Sequence, residues 1–320
     1  MLLVFLLCTS SQKLLAEEFE IKHADLLDAE NQEINIKGNI IISYKDALIE
    51  APEGKILSNT EGKPEKAIFL GRAKLKSKDK KLEANRIVVY LNTETIYADG
   101  NVSSELKDST GNLIFITSDF QELGWNGENA NARGNIKVKY KDSDITSDEA
   151  KVIYKDKKPN QAIFTGSKNQ AHLVQPNYNT KANELVFDID TNNIQAFGNV
   201  SSTIWPYKPN VNKKQDFVSL TADDLFIDHA SGTIIAKSKS KSKKVQLTYQ
   251  DTNGESNEAV LLRDKSNEKP EKIIFRGNAA VKQTDKQLTS EEVVFNFADK
   301  KLTSNTITNV RPKTLIFKMS

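Results

Sequence analysis

Two alternating motifs, repeated along almost the whole chain, constrain its fold more than any other feature. Residues 130–154 hold one copy of the pair. In the first motif, apolar or small residues occupy every second position through Gly134 to Tyr140, with polar residues between them. Strict alternation predicts a β-strand with one buried and one exposed face. The second motif starts at Ile145, breaks the alternation at Asp148 and resumes towards Tyr154.

The glycine of the first motif and the small residue of the second recur with a common period. Most successive copies lie 29 to 35 residues apart. The glycines are Gly38, Gly71, Gly100, Gly134, Gly166, Gly198 and Gly277. The small residues are Ala51, Ala84, Ser118, Ser147, Ala182, Ala222, Ser256 and Ser290. A period near thirty residues, made only of strand patterns, indicates stacked β-strand repeats.

Each repeat is predicted to contain two long strands that bend. Glycine accepts the dihedral angles of a corner and lets backbones approach closely. Acids and amides follow the small residue, as at Asp119 and Asp148, and we interpret them as polar corners rather than calcium ligands. Stacking would give two facing sheets with an apolar interior. We therefore expect an all-β fold, an elongated open β-jellyroll (β-taco) of about eight two-strand repeats.

Composition and motif content limit the classes of function. The 320 residues carry 45 Lys+Arg against 43 Asp+Glu, which argues against a dedicated nucleic-acid binder. A single cysteine, Cys8, excludes internal disulfides and cysteine-based zinc clusters. His23, His172 and His229 lack metal-ligand spacing, and no nucleophile or phosphate-loop motif occurs. We expect no enzymatic activity and no cofactor.

The N-terminus resembles an export signal. The apolar run Leu2–Leu7 is too short to span a bilayer and is typical of a secretory h-region. Residues 1–16 are predicted to be a signal peptide, cleaved after Ala16, and residues 17–320 to form one repeat domain. The alternative is that the apolar run is a buried N-terminal strand.

The motifs carry a family resemblance. Ile96–Val102 and Ile194–Val200 both read Ile-x-Ala-x-Gly-Asn-Val, and Ala222–Asp228 reads Ala-Asp-x-Leu-x-Ile-Asp. Over roughly residues 20–310 the chain thus resembles the OstA-like, or LptA, family of periplasmic lipopolysaccharide-transport proteins. The resemblance implies a periplasmic protein whose open apolar groove carries acyl chains. The implied ligand is lipopolysaccharide or a similar acylated glycolipid. The implied protein partners are like-folded OstA-type domains of inner- and outer-membrane transport proteins, and further copies of this chain stacked head to tail. Nucleic acid is not expected as a partner.

Residues on the inward phase are the candidates for lining that groove. They are Ile40, Ile42, Ile136, Val138, Ile145, Val152, Leu185, Phe187, Val200, Leu225, Ile227, Val281 and Phe295. A lysine-rich run, residues 237–244, allows two interpretations: a solvated loop, or a basic rim that meets phosphates. The rim candidates are Lys237, Lys239, Lys241, Lys243 and Lys244. Thr314–Met319 is apolar and predicts a closing strand that would serve as a docking edge.

Two other functions stay open at this stage. One is an exported β-solenoid enzyme acting on polysaccharides, which would require a cluster of catalytic acids. The other is a structural surface scaffold without a ligand, which would require only the repeat. The leading hypothesis is a lipid-binding transport protein that bridges inner- and outer-membrane components.

Overall fold

The computed structural model describes residues 19–108, 110–125, 127, 129–155, 158–205, 217–240, 243–263, 269–305 and 312–316. These residues form strands and turns without any helix, which confirms the prediction of an all-β fold. The number of repeats stays a prediction. The predicted signal peptide (1–16), Lys241 and residues 317–319 of the predicted closing strand lie outside the described residues.

The chain divides into two compact units. Unit 1 comprises Met1–Lys141 and Lys151–Pro159, and unit 2 comprises Asp142–Ala150 and Asn160–Ser320. Strand β10 (Ser143–Lys155) contributes residues to both units. The prediction of a single domain over residues 17–320 stays a prediction beside this division.

Unit 1 is an antiparallel meander. Its strands are β1 (Phe19–His23), β2 (Leu26–Glu30), β3 (Glu33–Tyr44), β4 (Ala47–Ser58), β5 (Pro64–Lys76), β6 (Lys80–Tyr90), β7 (Thr95–Lys107), β8 (Leu113–Gly124) and β9 (Ala130–Tyr140). From β3 to β9 each strand pairs with the next along the chain. The short strands β1 and β2 pair with the two halves of β3, so together they take the place of one long strand.

Unit 2 mixes long strands with long strands that are split in two. After β10 come β11 (Lys158–Thr165), β12 (Ala171–Gln175), β13 (Tyr178–Ala182), β14 (Glu184–Asp188), β15 (Ile194–Ile204), β16 (Val218–Asp228), β17 (Thr233–Lys237), β18 (Val245–Tyr249), β19 (Thr252–Ser256), β20 (Glu258–Arg263), β21 (Pro270–Lys282), β22 (Lys286–Asn296), β23 (Leu302–Asn305) and β24 (Lys313–Ile316). β13 and β14 pair with opposite halves of β15, and β19 and β20 with opposite halves of β21.

The bend in each long strand is a β-bulge at the glycine and the residue after it. In the β7–β8 pair, Gly100 and Asn101 together lie opposite Asp119, because Asp99 pairs with Phe120 and Val102 with Ser118. Two residues facing one is the definition of a bulge, which increases the local bend and twist. Gly100 and Asn101 have φ of 77° and 52°. Glycine and asparagine adopt such positive values at low cost, which explains the Gly-Asn pair of the motif.

The corners of neighbouring strands are joined by polar side chains. Asp119 on β8 accepts a hydrogen bond from Nδ2 of Asn135 on β9 at 2.8 Å. Asp25 and Asn39 make the same contact at 3.0 Å between the β1–β2 connection and β3. The acids and amides of the second motif thus hold the bulge of the following strand, in agreement with their interpretation as polar corners.

Replacing Gly134 by alanine is expected to destabilise unit 1 by about 1–3 kcal/mol. Gly134 has a φ of 74°, and an added Cβ would lie 2.3 Å from Oδ2 of Asp119, so the corner contact must move. Gly62→Ala is the matched control, since Gly62 has a φ of 78° with no atom within 4 Å of the added Cβ. Urea denaturation would measure both. Equal losses would mean that only backbone strain matters and that the contact with Asp119 does not.

Candidate functional site

The apolar interior is formed by the residues that alternation places inward. All the groove candidates are buried except Val152, which is half-buried. In unit 1 the buried residues of β3 to β8 form one contiguous apolar cluster, in which Ile36, Phe69 and Ile87 have no exposed surface. The predicted inward orientation therefore agrees with the structure, whereas contact of these residues with a lipid stays a prediction.

The two ends of the unit 1 meander meet across this interior. Turns between strands alternate between the two ends, so the β3–β4 turn and the β6–β7 turn belong to opposite ends. Lys45 in the first turn forms a salt bridge with Glu94 in the second, Nζ to Oε1 2.5 Å. The Tyr44 ring packs edge-on against Trp125, which follows β8, with ring centroids 4.7 Å apart. We call these four residues the unit 1 seam, because they close the side of the interior opposite the corners.

Unit 2 has an equivalent set of contacts. The Tyr178 ring lies edge-on to His229, with centroids 6.1 Å apart, although the two residues lie at opposite ends of the strands. The Tyr249 and Phe297 rings make the same kind of contact at 4.9 Å. Burial lowers the pKa of the His229 imidazole from its ordinary value, and this effect outweighs the opposing influence of Asp142. We call Tyr178, His229, Tyr249 and Phe297 the unit 2 seam.

One corner of unit 2 departs from the Gly-Asn pattern. After Gly166 the backbone forms a short loop, and Oδ2 of Asp148 accepts hydrogen bonds from the amides of Ser167, Lys168 and Asn169 at 2.8, 2.6 and 3.0 Å. The amides of Asn169, Lys168 and Ser167 lower the pKa of Asp148 to about 2. A negative charge on Asp148 therefore holds this corner.

Asp148 is expected to make the stability of the protein depend on pH in acid. Its pKa is depressed in the folded state, so its contribution is complete above the unfolded value, about 3.9, and is lost as pH falls towards 2. Asp148→Asn should lower Tm at pH 7, and the difference from the wild type should shrink between pH 4 and pH 2. Thermal melts over this range would measure it. Asp144→Asn, on the exposed face of the same strand, should leave Tm unchanged, and a constant deficit for Asp148→Asn would contradict the assignment.

The described lysines of the candidate basic rim all take part in salt bridges with carboxylates. Lys237 pairs with Glu258, Lys239 with Asp224, Lys243 with Asp223 and Lys244 with Glu255, at 3.2, 2.8, 2.7 and 3.2 Å. The run occupies a corner, where the backbone amide of Lys239 donates to Asp223 at 2.8 Å. Local neutralisation favours the interpretation as a solvated corner loop, and recognition of phosphates by this run stays a prediction.

Among the described residues, three glutamines are buried, one in unit 1 and two in unit 2. None of them was among the residues predicted from the sequence. Gln175 donates to Ser143 Oγ at 2.7 Å, and Gln283 donates to Thr252 Oγ1 at 3.1 Å. Gln121 lies on the inward face of β8 and is 2% exposed. The sequence did contain the information needed to predict the burial of Gln121. Alternation breaks after Ser118, and when it resumes, position 121 faces inward.

No group of three or more His, Cys, Asp or Glu side chains able to hold a metal ion occurs in the part of the chain that the structure describes. Within the same ranges, no helix has the length and hydropathy to span a membrane. The histidines take part in local contacts, as when His172 Nε2 meets Asn179 Oδ1 at 2.7 Å.

Comparisons with known proteins bear on the family. Residues 115–204 match the family model described as LptA/(LptD N-terminal domain) LPS transport protein. No curated protein matches the sequence. Among solved structures, the chain is similar to LptH, the LptA-homologous periplasmic component of the lipopolysaccharide transport device of Pseudomonas aeruginosa. The identity is 12% and the TM-score 0.26, over 47% of this chain and 81% of that one. The predicted resemblance is confirmed by the family match.

Proposed function

We propose that this chain carries acylated glycolipid in transit across the periplasm. The proposal is supported by the match of residues 115–204 to the LptA/LptD N-terminal family of lipopolysaccharide-transport proteins. The observation that carries the proposal is the contiguous apolar interior of unit 1, in which residues such as Phe69 are wholly buried. Acyl chains of lipopolysaccharide or a similar glycolipid would occupy this interior, and the polar head would stay at the seam.

A lipid can enter only if a seam opens, because the interior side chains are already packed together. Opening the unit 1 seam would break a partly exposed ion pair, worth ~0–1 kcal/mol, and an aromatic contact, worth ~0.5–1.5 kcal/mol beyond its buried area. Burying an acyl chain gains ~0.8 kcal/mol per CH₂ group. Ten methylene groups would thus offset the lost seam contacts several times over, before the cost of ordering the chain. The apolar interior is consistent with a binding site that opens for its ligand.

The bridging role rests on the edge strands. At one edge β1 and β2 pair with β3, and Leu26 and Leu27 are exposed. At the other, β24 pairs with β22, and Leu315 and Ile316 are exposed. An open strand edge with apolar side chains can add a strand from another domain through main-chain hydrogen bonds. We propose head-to-tail docking of like-folded domains at these edges.

Photo-crosslinking tests the lipid. A photoreactive phenylalanine analogue at Phe69, which is buried, should give an adduct with lipopolysaccharide in cells. The same analogue at Leu70, the exposed neighbour on the same strand, should give none. If the folded protein gave no lipid adduct at Phe69, the result would favour the alternative function of a structural surface scaffold without a ligand. An adduct with polysaccharide alone would favour the enzyme.

Sedimentation tests the bridge. Deleting Thr314–Ser320 removes three of the four residues of β24, including its exposed apolar residues. The deletion should lower the oligomer size at high protein concentration while leaving the circular-dichroism spectrum unchanged. If the intact chain stays monomeric and captures no like-folded domain, the bridging proposal fails, while lipid carriage stands or falls with the crosslinking result.

A further inference from the structure

Gln121 is an unpaired amide on the same inward face of β8 as Leu123, which belongs to the apolar cluster of unit 1. Its neighbours across the sheet are Ala98 on β7 and Ala132 on β9, which offer only methyl groups. Neither Oε1 nor Nε2 of Gln121 has a hydrogen-bond partner among the described residues. Gln175 and Gln283, the other buried glutamines of those residues, each donate to a hydroxyl group.

A second unpaired polar group lies in the same pair of strands. Ser104 on β7 is 3% exposed, and its Oγ has no hydrogen-bond partner among the described residues. Ser104 pairs with Ile116 on β8, beyond the corner at Gly100, so Ser104 and Gln121 lie on opposite sides of the bend. Ala98 and Val102, on the two sides of this bend, both belong to the unit 1 apolar cluster, so both sides face a common interior.

Leaving such groups unpaired is unfavourable to folding. A buried polar group without a partner loses its hydrogen bonds to water and gains none in return. An apolar residue at position 121 would avoid this penalty, as Leu123 does on the same face of β8. A ligand that brings its own polar group into the interior would remove the penalty for both side chains.

We propose that Gln121, together with Ser104, binds a neutral polar group carried on an acyl chain, specifically a hydroxyl or amide close to the head of the lipid. This inference rests on the proposed function and adds selectivity to it. A primary amide both donates and accepts, as does a serine hydroxyl, so the pair matches a hydroxyl group or an amide linkage.

Competition binding tests the proposal. A fluorescent fatty acid bound to the full chain would be displaced by a 3-hydroxy fatty acid or by the unsubstituted acid of equal length. The wild type should bind the hydroxylated acid about three- to tenfold more tightly, the ratio expected from one hydrogen bond. Gln121→Leu should remove this preference, mainly by binding the unsubstituted acid more tightly. It should also raise the Tm of the ligand-free protein.

Ser104→Ala, a smaller change, provides a second variant and should reduce the preference without abolishing it. Equal affinity of the wild type for both acids, or an unchanged preference in both variants, would overturn the assignment of Gln121 while leaving lipid carriage intact. Failure of both acids to bind would overturn the proposed function itself, and with it this inference.

Discussion

Replacing Ile136 by aspartate is expected to destabilise unit 1 by at least about 3–5 kcal/mol, the cost of an unpaired charge in a protein interior. Ile136 is 1% exposed and belongs to the inward face of β9. A carboxylate there would lose its hydration without gaining a partner, and the apolar contacts of the isoleucine would also disappear. Since domains are commonly stable by about 5–15 kcal/mol, the variant should be close to unfolded at 37 °C. Chemical denaturation followed by circular dichroism would measure the loss.

Lys137→Asp is the matched control for this variant. Lys137 is the next residue of the same strand and lies on its exposed face. The control introduces the same carboxylate into the same strand. The two variants therefore differ in whether the substituted position is buried or exposed. We expect a change within about 0.5 kcal/mol, as is usual at exposed positions. If both variants lost the same stability, strand propensity and not the buried interior would be the cause.

Replacing Tyr44 by alanine is expected to cost about 3–5 kcal/mol, as do other large-to-small changes of buried aromatic residues. Tyr44 is 2% exposed and packs against Trp125 across the interior, and the Phe19 ring also contacts it, with ring centroids 6.0 Å apart. Loss of the ring removes the aromatic contact of the unit 1 seam. A hydrophobic dye should therefore bind Tyr44→Ala faster than the wild type under conditions where both are folded.

Tyr44→Phe keeps the ring and changes only the hydroxyl, so it separates packing from polar effects. It should retain most of the stability and the slow dye binding of the wild type. Fast dye binding by the phenylalanine variant, or unchanged binding by the alanine variant, would mean that the seam does not control access to the interior.

Alternation and the spacing of glycines predicted the fold because both depend on local geometry. A side chain on every second position must share a face, so the inward orientation of Ile40, Val200 and Phe295 followed directly from the sequence. The break in alternation within the second motif could be predicted from the sequence in the same way. Ala51 and Gly54 are both buried although they lie three positions apart, because two consecutive residues between them, Pro52 and Glu53, are exposed.

The closure of the interior could not be predicted in the same way. Tyr44 and Trp125 are far apart in the chain, and alternation states which face a residue occupies but not which residue it meets across the interior. The salt bridges of the lysine run could not be predicted for the same reason, since Lys243 and Asp223 come together only when the corner folds. The unpaired state of Gln121 likewise depends on two alanines supplied by neighbouring strands.

The corner contacts also bear on how such a chain can change in length during evolution. Asp119 holds the bulge of the next strand, and Asp25 does the same for the bulge of β3, so each corner depends on its immediate neighbour. A duplication or deletion of one complete period would therefore rejoin equivalent corners and leave the inward phase unchanged. A change of one residue inside a period would instead invert the faces of the strand that follows. Gene lineages of this architecture should accordingly differ by whole periods, and their shorter insertions should concentrate in the turns.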